Sequence, residues 1–207
     1  MGQQENIKRF EDLLLSVERD GMDNLIRYIR QSDFYTAPAS TRFHSCHEGG
    51  LLEHTLNVYD CLVQNFNTLY RSPDGDGFFG TDKNLIVSAL LHDLCKADYY
   101  TTEYKNQKVY SDHGTKYDNK GRFDWESVPV YTVDDQHPLG HGEKSVMMAE
   151  SFIRLEPVER YAIRWHMGFT EPKENWNYLS AAIRKYPLVL ALHVSDLEAT
   201  YLMEEDK

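Results

Sequence analysis

The stretch NLIVSALLHDLCKA, Asn84 to Ala97, constrains the fold more than any other part of the chain. It is apolar almost all the way round a helical projection, which predicts a buried central α-helix. Yet it carries His92, Asp93 and Lys96. Burying an imidazole, a carboxylate and an ammonium is costly unless they are paired or bound to a metal. Neighbours on a helix point about 100° apart, so His92 and Asp93 can still approach one ion from its flank. Lys96, four residues after His92, projects from the same face as that histidine. Taken alone, the group reads more simply as a buried Asp93–Lys96 ion pair beside a hydrogen-bonded histidine.

Two further helices repeat the anomaly. GGLLEHTLNVYD, Gly49 to Asp60, sets His54 into an amphipathic pattern with Leu52, Thr55, Tyr59 and Leu62 at helical steps. LVLALHVSDLEATYLM, from Leu188, places Asp196 in an apolar setting with His193 one turn earlier. An aspartate there fits an exposed polar position, and a histidine on a helix is usually a core or surface residue. Four such residues, His54, His92, Asp93 and Asp196, nevertheless make a coherent metal-site hypothesis. Mixed imidazole and carboxylate donors suit a divalent transition ion (Mn, Fe, Zn or Ni) better than Mg alone.

The rest of the chain predicts one helical unit over 1–207 with a small β element. IKRFEDLLLSVERD and MDNLIRYIRQSDF read as two N-terminal helices within 1–40, punctuated by Gly21 and ended by Pro38. SPDGDG, Ser72 to Gly77, is a loop. From 98 to 137 the character changes: tyrosines cluster with Phe123 and Trp125, DNKG is a turn signal and SVPVYTV is β-rich. This predicts a small hairpin or irregular insertion in the helical unit, not a separate domain. Helices resume at GHGEKSVMMAESFIRL and, after Pro157, VERYAIRWH, which Gly168 closes. A loop from Thr170 to Asn177 precedes the last helix, which Pro187 starts.

Charge and cysteines narrow the setting. The formal net charge is −11, which disfavours a broad grip on long nucleic acid. A small phosphorylated substrate stays possible, because a bound cation supplies local positive charge. Three cysteines with no CxxC pair point to a reducing, cytoplasmic compartment. The apolar run LIVSALL is far too short to span a bilayer, so no membrane partner is expected. No feature of the sequence sets the oligomeric state.

EHT, HDLCK and SD, in that order, resemble the HD-domain metal-dependent phosphohydrolase superfamily. HSCHEGGLLEHTL, ALLHDLCK, LGHGEKS, RWHMG and LALHVSDLEA look most like the HD module of YhaM-type 3'-5' exoribonucleases, over roughly 43–202. The resemblance implies an all-α, PDEase-like helical bundle. It also implies that His54, His92, Asp93 and Asp196 bind a first ion, with Asp93 bridging to a second. His141 and His166 would complete the second site; read by themselves, they are a helix-start residue and a helix C-terminal residue favoured by the dipole. With one ion only, they would contact substrate phosphate instead. Lys96 would neutralise charge on the phosphoryl oxygens or leaving group. His44 divides between substrate contact and a structural hydrogen bond, and His193 would orient a ligand or the buried lysine from behind.

The chemistry implied by the resemblance is hydrolysis of a phosphoester by metal-activated water. Those exoribonucleases carry an OB domain ahead of the HD module, where this chain shows only the helices of 1–40. A nucleotide, cyclic nucleotide or short oligonucleotide is therefore the expected substrate. The aromatic insertion fits a lid that stacks on a base and equally aromatic packing within a hairpin. Two alternatives stay open: a nucleotide sensor that keeps the site without turnover, and a structural helical protein with an accidental His/Asp pattern.

Overall fold

The computed structural model describes residues 2–42, 45–67 and 80–204. The Ser72–Gly77 turn and His44 lie outside them. Among the described residues no helix is long and apolar enough to cross a membrane.

Apolar spacing explains which faces meet. In α1 (Gln3–Ser16) and α2 (Met22–Gln31), Phe10 and Leu14, and Leu25 and Ile29, stand four residues apart and are fully buried. They join Leu52 and Leu56 of α3 (Gly50–Asn65) and Val87, Leu90 and Leu91 of α4 (Asp82–Leu91) in one core cluster. Val58 and Leu62 on another stripe of α3 meet Ala162 of α6 (Pro157–Trp165) and Leu188 and Leu192 of α8 (Leu188–Glu198) in a second. Every residue of α4 from Asn84 to Leu91 is buried. Thr81 caps it in an extended conformation, its N–H donating to Asn84 Oδ1 at 2.8 Å.

The central helix is not continuous through the doublet. It ends at Leu91, His92 is its C-cap, and Asp93 adopts φ −106°, ψ 20°, in the sparsely populated bridge region. Leu94–Lys96 then forms a single 3₁₀ turn. The expectation that Lys96 shares a helical face with His92 is therefore corrected: the tighter turn brings Lys96 to Asp93, three residues back.

The insertion is a small three-stranded antiparallel sheet, and the described chain is otherwise mostly helical. β1 (Tyr100–Tyr110) and β3 (Gly121–Val133) pair antiparallel with Tyr100 opposite Val133 and Tyr110 opposite Phe123. The short β2 (Lys116–Asp118) pairs with the start of β3 across the DNKG turn, giving the order β1-β3-β2. Only Phe123 of the apolar residues in these strands is buried; Tyr104 and Trp125 are exposed. α5 (His141–Glu150) follows, and α6 begins with Pro157 at its first turn. The expected Thr170–Asn177 loop follows one 3₁₀ turn, Gly168–Thr170, and holds a second, Lys173–Asn175, and a helix that the sequence pattern did not predict, α7 (Trp176–Lys185), starts inside it.

One buried ion pair ties the N-terminal helices to the core. Glu159, with a fully buried side chain, accepts from Arg19 Nη1 at 2.6 Å and Nη2 at 2.8 Å, and from Asn84 Nδ2 at 2.9 Å. Arg19→Ala leaves that carboxylate without its cation, which costs about 3–5 kcal/mol. Thermal unfolding followed by circular dichroism is expected to show a melting temperature lower by roughly 10 °C. A change under about 2 °C would mean that the pair contributes little.

Candidate metal centre

Five separate segments bring imidazoles and carboxylates to one place. His54 sits on α3, His92 and Asp93 at the break after α4, His141 at the first position of α5, His166 at the C-cap of α6 and Asp196 on α8. The rings form a row, with centroids 5.4 Å apart for His54–His92, 4.9 Å for His92–His166 and 5.2 Å for His141–His166. Asp93 lies along it. Its Oδ2 is 3.4 Å from His92 Nε2 and 3.7 Å from His54 Nε2, and its Oδ1 is 2.6 Å from His141 Nε2 and 3.6 Å from His166 Nε2. Asp196 Oδ1 faces His54 Nε2 at 3.3 Å.

Local structure fixes these positions. Gly142 has no Cβ because one would overlap the Arg164 backbone, and that close approach sets the start of α5 against the end of α6. His141 and His166 are thereby neighbours. Gly168 takes φ +57°, and a side chain there would strike the His193 ring.

The tautomers follow from backbone carbonyls, which only accept. His92 Nδ1–H donates to Ala89 O and His166 Nδ1–H to Ile163 O, each at 2.7 Å. In a neutral ring, Nε2 is then an acceptor. Both Nε2 atoms are buried with no hydrogen-bond partner. A buried acceptor without a donor is rare in folded proteins, and here two of them point at the same carboxylates. Three groups place one donor atom per residue within 4.8 Å of each other: His54–His92–Asp93, His92–His166–Asp196 and Asp93–His141–His166. The donor set and the two orphaned lone pairs fit a divalent transition ion.

The electrostatics of the protein alone are those of a crowded ion cluster. Burial opposes ionisation of Asp93, but Lys96, His92 and His141 outweigh it and hold the carboxyl well below its usual range. Lys96 Nζ donates to Asp93 Oδ2 at 2.7 Å and to Ala39 O at 2.7 Å. Burial alone would depress His54, yet hydrogen bonds to Asp196 and Glu204 lift it to about 9. His141 rises to about 8, because Asp93 outweighs the burial of its ring.

Two partners here had no signal in the sequence pattern. Glu204 follows a π-helical turn, Ala199–Met203, that extends α8. Its carboxylate accepts from His54 Nδ1 at 3.1 Å, Ser45 Oγ at 2.9 Å and Asn57 Nδ2 at 3.0 Å. Cys95 Sγ lies 3.3 Å from His141 Nδ1. Glu204 stands in the acidic run MEEDK, where no spacing singles it out from its neighbours, and nothing in the pattern of Cys95 marks it out. His193 is behind His166, its Nδ1–H donating to His166 O at 2.7 Å; its contact is with that backbone, and Lys96 is held by other groups.

Comparison with protein-family models, with characterised proteins and with solved structures finds no match.

Proposed function

We propose that the chain is a metal-dependent phosphohydrolase of the HD class, with the HD-type helical arrangement as its fold. The observation that carries the reading is the pair of buried, partnerless Nε2 atoms on His92 and His166, aimed at Asp93 and Asp196. His54, His92, Asp93 and Asp196 would hold one ion, and His141 and His166 a second, with Asp93 shared. A divalent ion in this setting polarises a phosphoryl oxygen and lowers the pKa of water towards roughly 7.

The chain's own groups have separate tasks in this proposal. Lys96 fixes the orientation of Asp93 and brings positive charge to the phosphoryl oxygens. Glu204 holds His54 with its Nδ1 protonated, so Nε2 faces inward. His193 anchors the backbone of His166. A nucleotide, cyclic nucleotide or short oligonucleotide is the proposed substrate.

Elemental analysis, followed by assay of the Mn- or Fe-loaded protein, tests the reading. The panel is bis-p-nitrophenyl phosphate, p-nitrophenyl phosphate, nucleoside monophosphates and cyclic nucleotides. Bound transition metal with turnover of at least one class is expected. Full occupancy with no turnover on the panel would sink the hydrolase and favour a nucleotide-binding role.

Metal affinity should depend steeply on pH. Below about pH 8 both His54 and His141 carry protons that an incoming ion must displace. Each donor set contains one of these imidazoles, so affinity should rise by about tenfold per pH unit, levelling off near pH 8 where His141 is the ligand and near pH 9 where His54 is. The metal-free fold has the opposite trend. Stability from these raised imidazoles is fully present below their ordinary value of 6.5 and is lost as pH passes about 8 and then about 9. Titration with Zn or Mn across this range checks the first trend, and a flat profile would show that neither proton is displaced.

Glu204→Ala removes the support behind His54 while leaving every proposed ligand in place. Chelator competition is expected to show metal affinity weaker by about 10- to 100-fold. Unchanged affinity would show that Glu204 only ties down α8.

A further inference from the structure

Beyond Tyr100, whose Oη–H donates to the same Ala39 O as Lys96, the β ribbon raises its own question. From Thr101 to Lys108 all eight residues of β1 are exposed. In the order β1-β3-β2, β1 has a neighbour on one side only among the described residues. An uncovered edge strand of this length, roughly 35 Å, offers a row of backbone donors and acceptors to any other strand. A ribbon with two long strands is marginal in water unless something packs on it.

The two long edges differ. Beyond β2, β3 carries Pro129, which has no N–H to give to a further strand. β1 contains no proline. Its centre is also arranged to pair with itself. In an antiparallel pairing with Tyr104 opposite Tyr104 of a second copy, Glu103 of each chain stands opposite Lys105 of the other. The two-fold axis then passes through an exposed aromatic pair, Tyr104 being 73% exposed, flanked by two opposite-charge pairs. Charge favours this surface over others. Five basic and five acidic residues balance between 100 and 133, so the net charge of −11 lies outside the ribbon. Other faces of two copies repel each other, whereas two ribbons do not.

We propose that β1 is a homodimer interface: two copies of this chain join their ribbons edge to edge about Tyr104, forming one continuous antiparallel sheet. Like charges placed directly opposite each other across strands are destabilising and opposite charges favourable. Glu103→Lys puts two lysines opposite each other twice, and Lys105→Glu does the same with two glutamates. The double variant, Glu103→Lys with Lys105→Glu, restores both pairs in reverse.

Light scattering after size exclusion and sedimentation equilibrium over a micromolar range test this. The wild type is expected at twice 24.2 kDa. Each single variant should dissociate about tenfold more readily, with the double variant recovering. Circular dichroism of each variant separates loss of pairing from loss of the ribbon itself. A monomeric wild type overturns the proposal, as does a dimer indifferent to both single changes or one that the double variant fails to restore.

Discussion

Asp93→Ala is expected to strip the site of metal and to reduce phosphoester hydrolysis by on the order of a thousandfold or more. Among the described residues no other side chain is placed against so many partners: His141 at 2.6 Å, Lys96 at 2.7 Å, and His92, His166 and His54 at 3.4, 3.6 and 3.7 Å. Both proposed ions share this carboxylate, so its loss opens both donor sets at once. The metal-free fold should suffer as well. Without Asp93 the largely buried Lys96 ammonium keeps, among the described residues, Ala39 O alone, which costs about 3–5 kcal/mol. Plasma emission analysis, turnover of the best substrate and urea unfolding read these effects separately. Metal retained at full occupancy would show that the carboxylate belongs to a structural ion pair alone.

Lys96→Ala is expected to separate binding from chemistry. Lysine is not a ligand in either donor set, so metal content should stay near the wild-type level. The rate should fall by about 10²- to 10³-fold, the usual cost of losing one preorganised charge at a reacting phosphoryl group. The metal-free variant, with Asp93 buried beside no cation but imidazoles, should melt well below the wild type, and added metal should restore much of the difference. Loss of metal in this variant would assign Lys96 to the integrity of the cage.

The candidate ligands were legible for one reason: a polar side chain inside an apolar run is expensive, so His54, the His92–Asp93 doublet and Asp196 each announced themselves. Less was legible where the cost was hidden. The continuous apolar pattern through Leu94 concealed the break after Leu91, because a 3₁₀ turn keeps nearly the same residues inside. Glu204 sits among acidic neighbours and reaches His54 only after the wider π turn of Ala199–Met203 has changed the helical phase. α7 begins amid loop-like residues and buries only Leu179 and Ala182. How far the strands of the insertion run was not legible, because β1, YTTEYKNQKVY, is exposed over nearly its whole length and shows no apolar alternation.

His54 and Glu204 are 150 residues apart in the chain, and that separation orders events during synthesis. A ribosome that has just finished α6 has delivered four imidazoles and Asp93, but neither Asp196 nor the carboxylate that steadies His54. At that stage the nascent protein can bind an ion only loosely, and α8 has yet to cover it. In the proposed metalloenzyme, cation capture would thus be a late step of maturation, set by the slow closure of distant contacts and sensitive to which ions surround the polypeptide when α8 docks.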